Sequence, residues 1–284
     1  MKTLPRLGLF LVFLTWGLLV FIVFSHYFPL FERPADAIGR IVTAIAFLVA
    51  ALFARRSVRF NKYWLILFAF FTALTAISID YYLSLSQWIF PVLGIIQRSP
   101  AGYAIEKLES SLLGILIVLA LNRLAGQSLE SLYIRRGNLG LGLTVGLAAF
   151  ALMIAGVIPV TGMFFKGENL TWARILPWTP WVLIFVLANA SNEELILRGL
   201  LIGKMEPFLG KFATNLVTTI PFVFLHAFTS YSANNTLFLA LQLLPLSLAW
   251  CWLMQKTNSI WGSILFHAAA DIPVIVGLLS GMAA

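Results

Sequence analysis

One cysteine in 284 residues, Cys251, excludes any intrachain disulfide. It lies within an apolar run, as a helix-packing residue does. Charge is scarce as well: 11% of the residues are charged and 61% are hydrophobic, and the mean hydropathy is +0.94. Few soluble domains combine so much apolar content with so little charge. No repeat and no low-complexity linker divides the chain, and no H-E-x-x-H occurs. Acidic residues are fewer than basic ones, 11 against 19, for a net charge of +8. The basic residues fall between apolar runs, where the positive-inside rule accounts for them and no nucleic-acid partner is needed.

Apolar runs of the roughly 20 residues that span a bilayer follow one another along the chain. They run from about Leu7 to Phe28, Ala37 to Ala54, Tyr63 to Ile79, Ser110 to Leu124, Leu139 to Phe165, Thr179 to Glu206, Phe212 to Phe228, Leu237 to Gln255 and Ser259 to Leu279. The first is too long for a signal-peptide core and reads as a retained span. His26, at its end beside Tyr27 and Phe28, suits an interfacial aromatic belt. Residues 80–109 mix aromatics, prolines and charges and read as an interfacial or re-entrant connection. Thr179 suits an N-cap and Pro180 a first helical turn. The expectation is an all-α, polytopic integral membrane protein of about eight or nine transmembrane helices around an intramembrane polar cavity. Accessory N-terminal helices would occupy residues 1–135, a connector 136–177 and the functional core 178–276. With the N-terminus in the cytoplasm, twelve Lys and Arg fall on the cytoplasmic side and six, Arg40 and Lys107 among them, on the other.

Against this background, Glu193-Glu194-Leu195-Ile196-Leu197-Arg198-Gly199 is anomalous. Each charged side chain at mid-bilayer costs roughly 2.5–3.5 kcal/mol on insertion scales, so such residues are functional-site candidates. Later spans add His226, His267 and Asp271. Glu193 and His226 lie symmetrically about the turn at Leu209–Gly210, so an antiparallel hairpin brings them to one depth. Glu194 and Arg198 are four residues apart and can pair, and so are His267 and Asp271. Pro221 and Pro273 free the carbonyls of Val217 and Ala269 and bend their helices beside the cluster. Singly, a membrane histidine or a Glu–Arg pair is ordinary interhelical glue. Together, at one depth in three successive spans, these residues point to a site.

At these residues the sequence resembles the CPBP family, the membrane proteases typified by the CAAX prenyl endopeptidase and including bacteriocin-processing and self-immunity proteins. Its motif EExxxR followed by Gly matches Glu193-Glu194-x3-Arg198-Gly199, FxxxH matches Phe222-x3-His226, and HxxxN/D matches His267-x3-Asp271. The resemblance implies a glutamate-dependent intramembrane endopeptidase with no metal or other cofactor. In it Glu193 and His226 activate a water, His267 and Asp271 form the oxyanion site, and Glu194, Arg198 and Phe222 support them. A carboxylate in a low-dielectric cavity suits a general base. An ionised Asp271, unlike Asn, offers only acceptors, so it is either protonated or serves to orient His267.

The partners implied are a peptide or protein substrate at the membrane, prenylated or a small peptide precursor, and the lipid bilayer itself. Three other functions compete. A zinc protease could use Glu193, His226, His267 and Asp271 as ligands, although their spacing demands no metal. A non-proteolytic scaffold or immunity protein would keep the fold alone. A proton-coupled transporter would use the same residue types, without helix-break symmetry between the halves to support it. The cell (inner) membrane is the expected location.

Overall fold

The computed structural model describes residues 3–25, 30–227 and 238–281; His26 and the outer ends of the first, seventh and eighth expected spans lie outside them. The described residues are helical, without a strand. The helices are α1 Thr3–Leu18, α2 Arg33–Arg56, α3 Trp64–Tyr82, α4 Ser86–Leu93, α5 Pro100–Leu124, α6 Leu139–Ala155, α7 Val157–Phe164, α8 Trp172–Ile175, α9 Thr179–Glu193, α10 Ile202–Leu209, α11 Lys211–His226, α12 Leu244–Thr257 and α13 Trp261–Ser280. Six stretches are long and apolar enough to cross a membrane, or seven if α6 and α7 form one broken span. The chain is a polytopic integral membrane protein.

Several expectations change in detail. The six or seven spans found among the described residues compare with the eight or nine expected, and α5 and α11 make much of the difference. α5 starts at Pro100, inside the supposed connection, and carries Glu106, Lys107, Glu109 and Arg123; α11 has 16 described residues. The single span expected from Leu139 is bent by 74° at Gly156. Thr179 is not the N-cap: a 3-10 turn, Leu176–Trp178, runs straight into α9, so Trp178 takes the flanking position without a capping side chain. Pro180 does sit in the first turn. Arg40, counted above on the non-cytoplasmic side, is a buried member of α2, its Nε 2.7 Å from Asp36 Oδ2.

Two compact units alternate along the chain. One comprises Met1–Tyr82, Gly114–Ile134 and Leu195–Phe228. Its packing includes Trp16, edge-on to Phe47 and Phe70 at 5.6 Å each. In the same unit Tyr82 Oη donates to Asp36 at 2.7 Å, and the Arg40 guanidinium lies 4.8 Å from the Tyr81 ring centroid. α1 packs along α10 and α11, with the Cα of Gly17 against the Pro221 ring.

The other unit comprises Leu83–Leu113, Arg135–Glu194 and Thr229–Ala284 and is built around α13, which packs on α6, α7, α9 and α12. Glycines set the α6–α13 approach, as small residues do between membrane helices. A Cβ at Gly142 would lie 3.2 Å from the Cα of Gly262, and one at Gly146 2.5 Å from the Cβ of Leu265. The start of α13 is also tied down. Arg135 Nε donates to Asn258 O at 3.0 Å, Ser259 Oγ to Arg135 O at 2.8 Å, and Asn138 N to Thr257 O at 2.7 Å. These contacts fix the register of the helix that bears Ser263, His267 and Asp271.

A Cβ at Gly262 would sit 2.6 Å from the Cα of Gly142, backbone that cannot move aside alone, whereas at Gly8 it meets nothing within 4 Å. Gly262→Ala is therefore expected to lower stability by about 1–3 kcal/mol, as overpacking does, whereas Gly8→Ala, inside α1 with open space around it, is not expected to lower it. Thermal unfolding of the two purified variants checks this, and equal midpoints would contradict it.

Candidate active site

The end of α9 and the middle of α13 hold the acidic and imidazole groups together. Ser263, His267 and Asp271 recur every four residues and so share one stripe of α13. On α9, Asn189 and Glu193 do the same, and Glu194 begins a π-helical turn, Glu194–Gly199, where the α-helical pattern stops. π-turns inside α-helices are often found at functional sites.

His267 is the hub. Its side chain is buried and its two nitrogens have different partners. Nδ1 donates to Glu194 Oε1 at 2.8 Å. Nε2 lies 3.5 Å from Glu193 Oε2 and 3.7 Å from Asp271 Oδ1, beyond good hydrogen-bond length from either. The Trp250 indole stacks on the imidazole at 3.9 Å between centroids and 9° between planes, holding the ring's tilt. Ser263 Oγ lies in hydrogen-bond contact with Glu194 Oε2 and 3.2 Å from the carbonyl oxygen of Trp250. Asn189 Nδ2 donates to Asp271 Oδ2 at 2.9 Å.

Exposure separates the adjacent glutamates. Glu194 is sealed at 0%, whereas the Glu193 and Asp271 side chains are 14% and 17% exposed. Glu193 Oε2 is buried and has no hydrogen-bond partner, and an unpaired buried carboxylate oxygen is costly to keep without a use. Among the described residues no group of three or more His, Cys, Asp and Glu is arranged to hold a metal ion.

The structure thus brings together four residues singled out from the sequence: Glu193, Glu194, His267 and Asp271. The other three belong to the other unit, where they meet around one ring. The Arg198 guanidinium lies 4.9 Å from the Phe222 centroid, and the His226 ring lies 4.5 Å from it. His226 Nδ1 is 2.8 Å from Phe222 O. A carbonyl only accepts, so Nδ1 carries a proton. Sequence reasoning missed Asn189, Ser263 and Trp250. The first two were within reach, one helical turn before Glu193 and His267; the stacking of Trp250 has no local signal.

Fold and site define a class: a polytopic helical membrane protein with a carboxylate–imidazole cluster on its helices. The comparison with known families is more specific. Residues 172–273 match the model described as Type II CAAX prenyl endopeptidase Rce1-like. The CPBP resemblance stated from the motifs therefore holds over this segment, which is similar to CAAX-type intramembrane proteases and related proteins. No curated protein and no solved structure matches the chain.

Ser263→Ala leaves Glu194 one donor short while keeping the helix. The expected loss is about 1–3 kcal/mol, the cost of an unsatisfied buried group, with a further fall in any hydrolytic rate because His267 is held less firmly. Thermal midpoints measured beside Ser263→Thr, which keeps the hydroxyl, check it; equal midpoints for the Ala and Thr variants would contradict it.

Proposed function

We propose that the chain is a membrane endopeptidase in which Glu193 activates water without a metal. The observation that carries this reading is the two-sided environment of His267. Nδ1 is fixed by Glu194 in a sealed position, while Nε2 and the unpaired oxygen of Glu193 lie 3.5 Å apart beside the more open Asp271. A general base next to a fixed N–H donor is what attack of water on an amide carbonyl needs.

The step balances as follows. Water gives a proton to Glu193 as its oxygen bonds to the carbonyl carbon. The carbonyl oxygen becomes an oxyanion and takes a hydrogen bond from Nε2–H of His267, which, with Nδ1–H also donating to Glu194, acts as the imidazolium ion. The C–N bond then breaks as the nitrogen receives the proton that Glu193 took from the water, leaving a carboxylic acid and an amine and restoring the Glu193 carboxylate. We assign His226, whose Nδ1–H is held by Phe222 O, the role of relaying that proton. Asp271 accepts from Asn189, which supports its role as the group that orients His267 rather than as an oxyanion donor. Asn189 carries a second amide hydrogen that can serve the oxyanion instead. Arg198 and Phe222 support the geometry from their own unit. The substrate is a peptide or protein presented at the membrane, of the prenylated C-terminal or small-precursor kind, and residues 178–276 carry the chemistry.

The test is purified protein in lipid against a peptide library, wild type beside Glu193→Ala and His226→Ala. Cleavage is expected from the wild type, unchanged by chelator, with each variant slower by at least about 100-fold. Loss to chelator with restoration by zinc would overturn the metal-free mechanism, and absence of any cleavage would overturn the enzyme.

A further inference from the structure

We propose that the groove between the start of α1 and the α10–α11 turn binds one anionic phospholipid. The groove, about 530 Å³, is lined by Arg6 and Lys211 together with Leu7, Phe10 and Phe212, and among the described residues no acidic side chain lines it. Arg6 is fixed there. Its guanidinium donates to the carbonyl oxygen of Leu209 and occupies the space that a side chain at Gly210 would fill. Gly210 has φ +75°, a backbone conformation suited to glycine, so the same residue makes the turn and leaves room for the guanidinium. One carbonyl uses one of the guanidinium's five N–H groups. Lys211, exposed, opens the 16-residue α11, whose N-terminal dipole adds to the positive field.

Position and chemistry select the occupant. Arg6 lies at the beginning of the span Pro5–Val23 and Leu209 at the end of the span Trp172–Leu209, so the groove sits where two membrane helices leave the apolar layer. Lipid headgroups occupy that level. Leu7 and Phe212 are 55% and 71% exposed, an apolar floor beside two cations. A free phosphate would use the cations and leave the apolar residues wet, and a neutral lipid would do the reverse. An anionic amphiphile uses both: its phosphodiester on Arg6 and Lys211, its acyl chains along Leu7, Phe10 and Phe212. The bound lipid would join α1 to the α10–α11 hairpin, the element that carries His226.

The experiment is native mass spectrometry of the full chain released from bilayers of equal parts phosphatidylglycerol and phosphatidylcholine. Wild type is expected to retain one phosphatidylglycerol in preference to phosphatidylcholine. Lys211→Gln, which leaves the Arg6–Leu209 contact in place, and Arg6→Gln should each reduce that retention by about fivefold. The pair Arg59→Gln/Lys62→Gln, which does not line the groove, should not reduce it. Equal retention of the two lipids, displacement by glycerol phosphate, or equal loss in the control pair would overturn the proposal. If Arg6→Gln fails to fold, Lys211→Gln decides alone.

Discussion

The hydrogen bond between Glu194 and His267 is the constraint that the candidate site depends on. A carboxylate at 0% exposure is tolerable only when donors surround it. Here His267 Nδ1 and Ser263 Oγ meet its two oxygens, and both come from one face of α13. The bond is therefore also a register lock between the end of α9 and the middle of α13. Everything reactive follows from it: with Nδ1 committed, Nε2 has one direction to face, and there it meets Glu193 and Asp271.

Backbone packing prepares that lock. Glycines at 142 and 262 bring α6 against α13, and Arg135 and Asn138 hold the turn that precedes it. Trp250 on α12 fixes the imidazole plane from the side. Three kinds of interaction thus act on one ring: charge-assisted hydrogen bonding, stacking and the placement of its helix. In a membrane, where apolar burial adds little between helices, such polar and close-packed contacts carry the specificity.

Much of this could be read from the sequence. Hydropathy marks the membrane helices, and the motif residues Glu193, Glu194, His267 and Asp271 do converge. What stayed hidden has physical reasons. α5 carries Glu106, Lys107 and Glu109 in its first turns, which disguise a helix as a connection. The 74° bend at Gly156 arises in a glycine-rich stretch, where several positions could equally bend. The π-turn after Glu193 has no periodicity to reveal it. Four-residue arithmetic was applied to Glu194 and Arg198; applied to α13 and α9 it also points to Ser263 and Asn189. A stripe of polar residues on one helix face was legible; which stripe faces which depends on tertiary packing.

The central claim is a division of labour between two adjacent glutamates: Glu193 reacts and Glu194 holds. Thermal unfolding and peptide hydrolysis measured on the same preparations of Glu193→Gln and Glu194→Gln test it most directly. The account predicts that Glu193→Gln loses hydrolysis at an unchanged melting temperature, whereas Glu194→Gln loses both. A Glu193→Gln protein that melts early, or a Glu194→Gln protein that is stable and active, would contradict it.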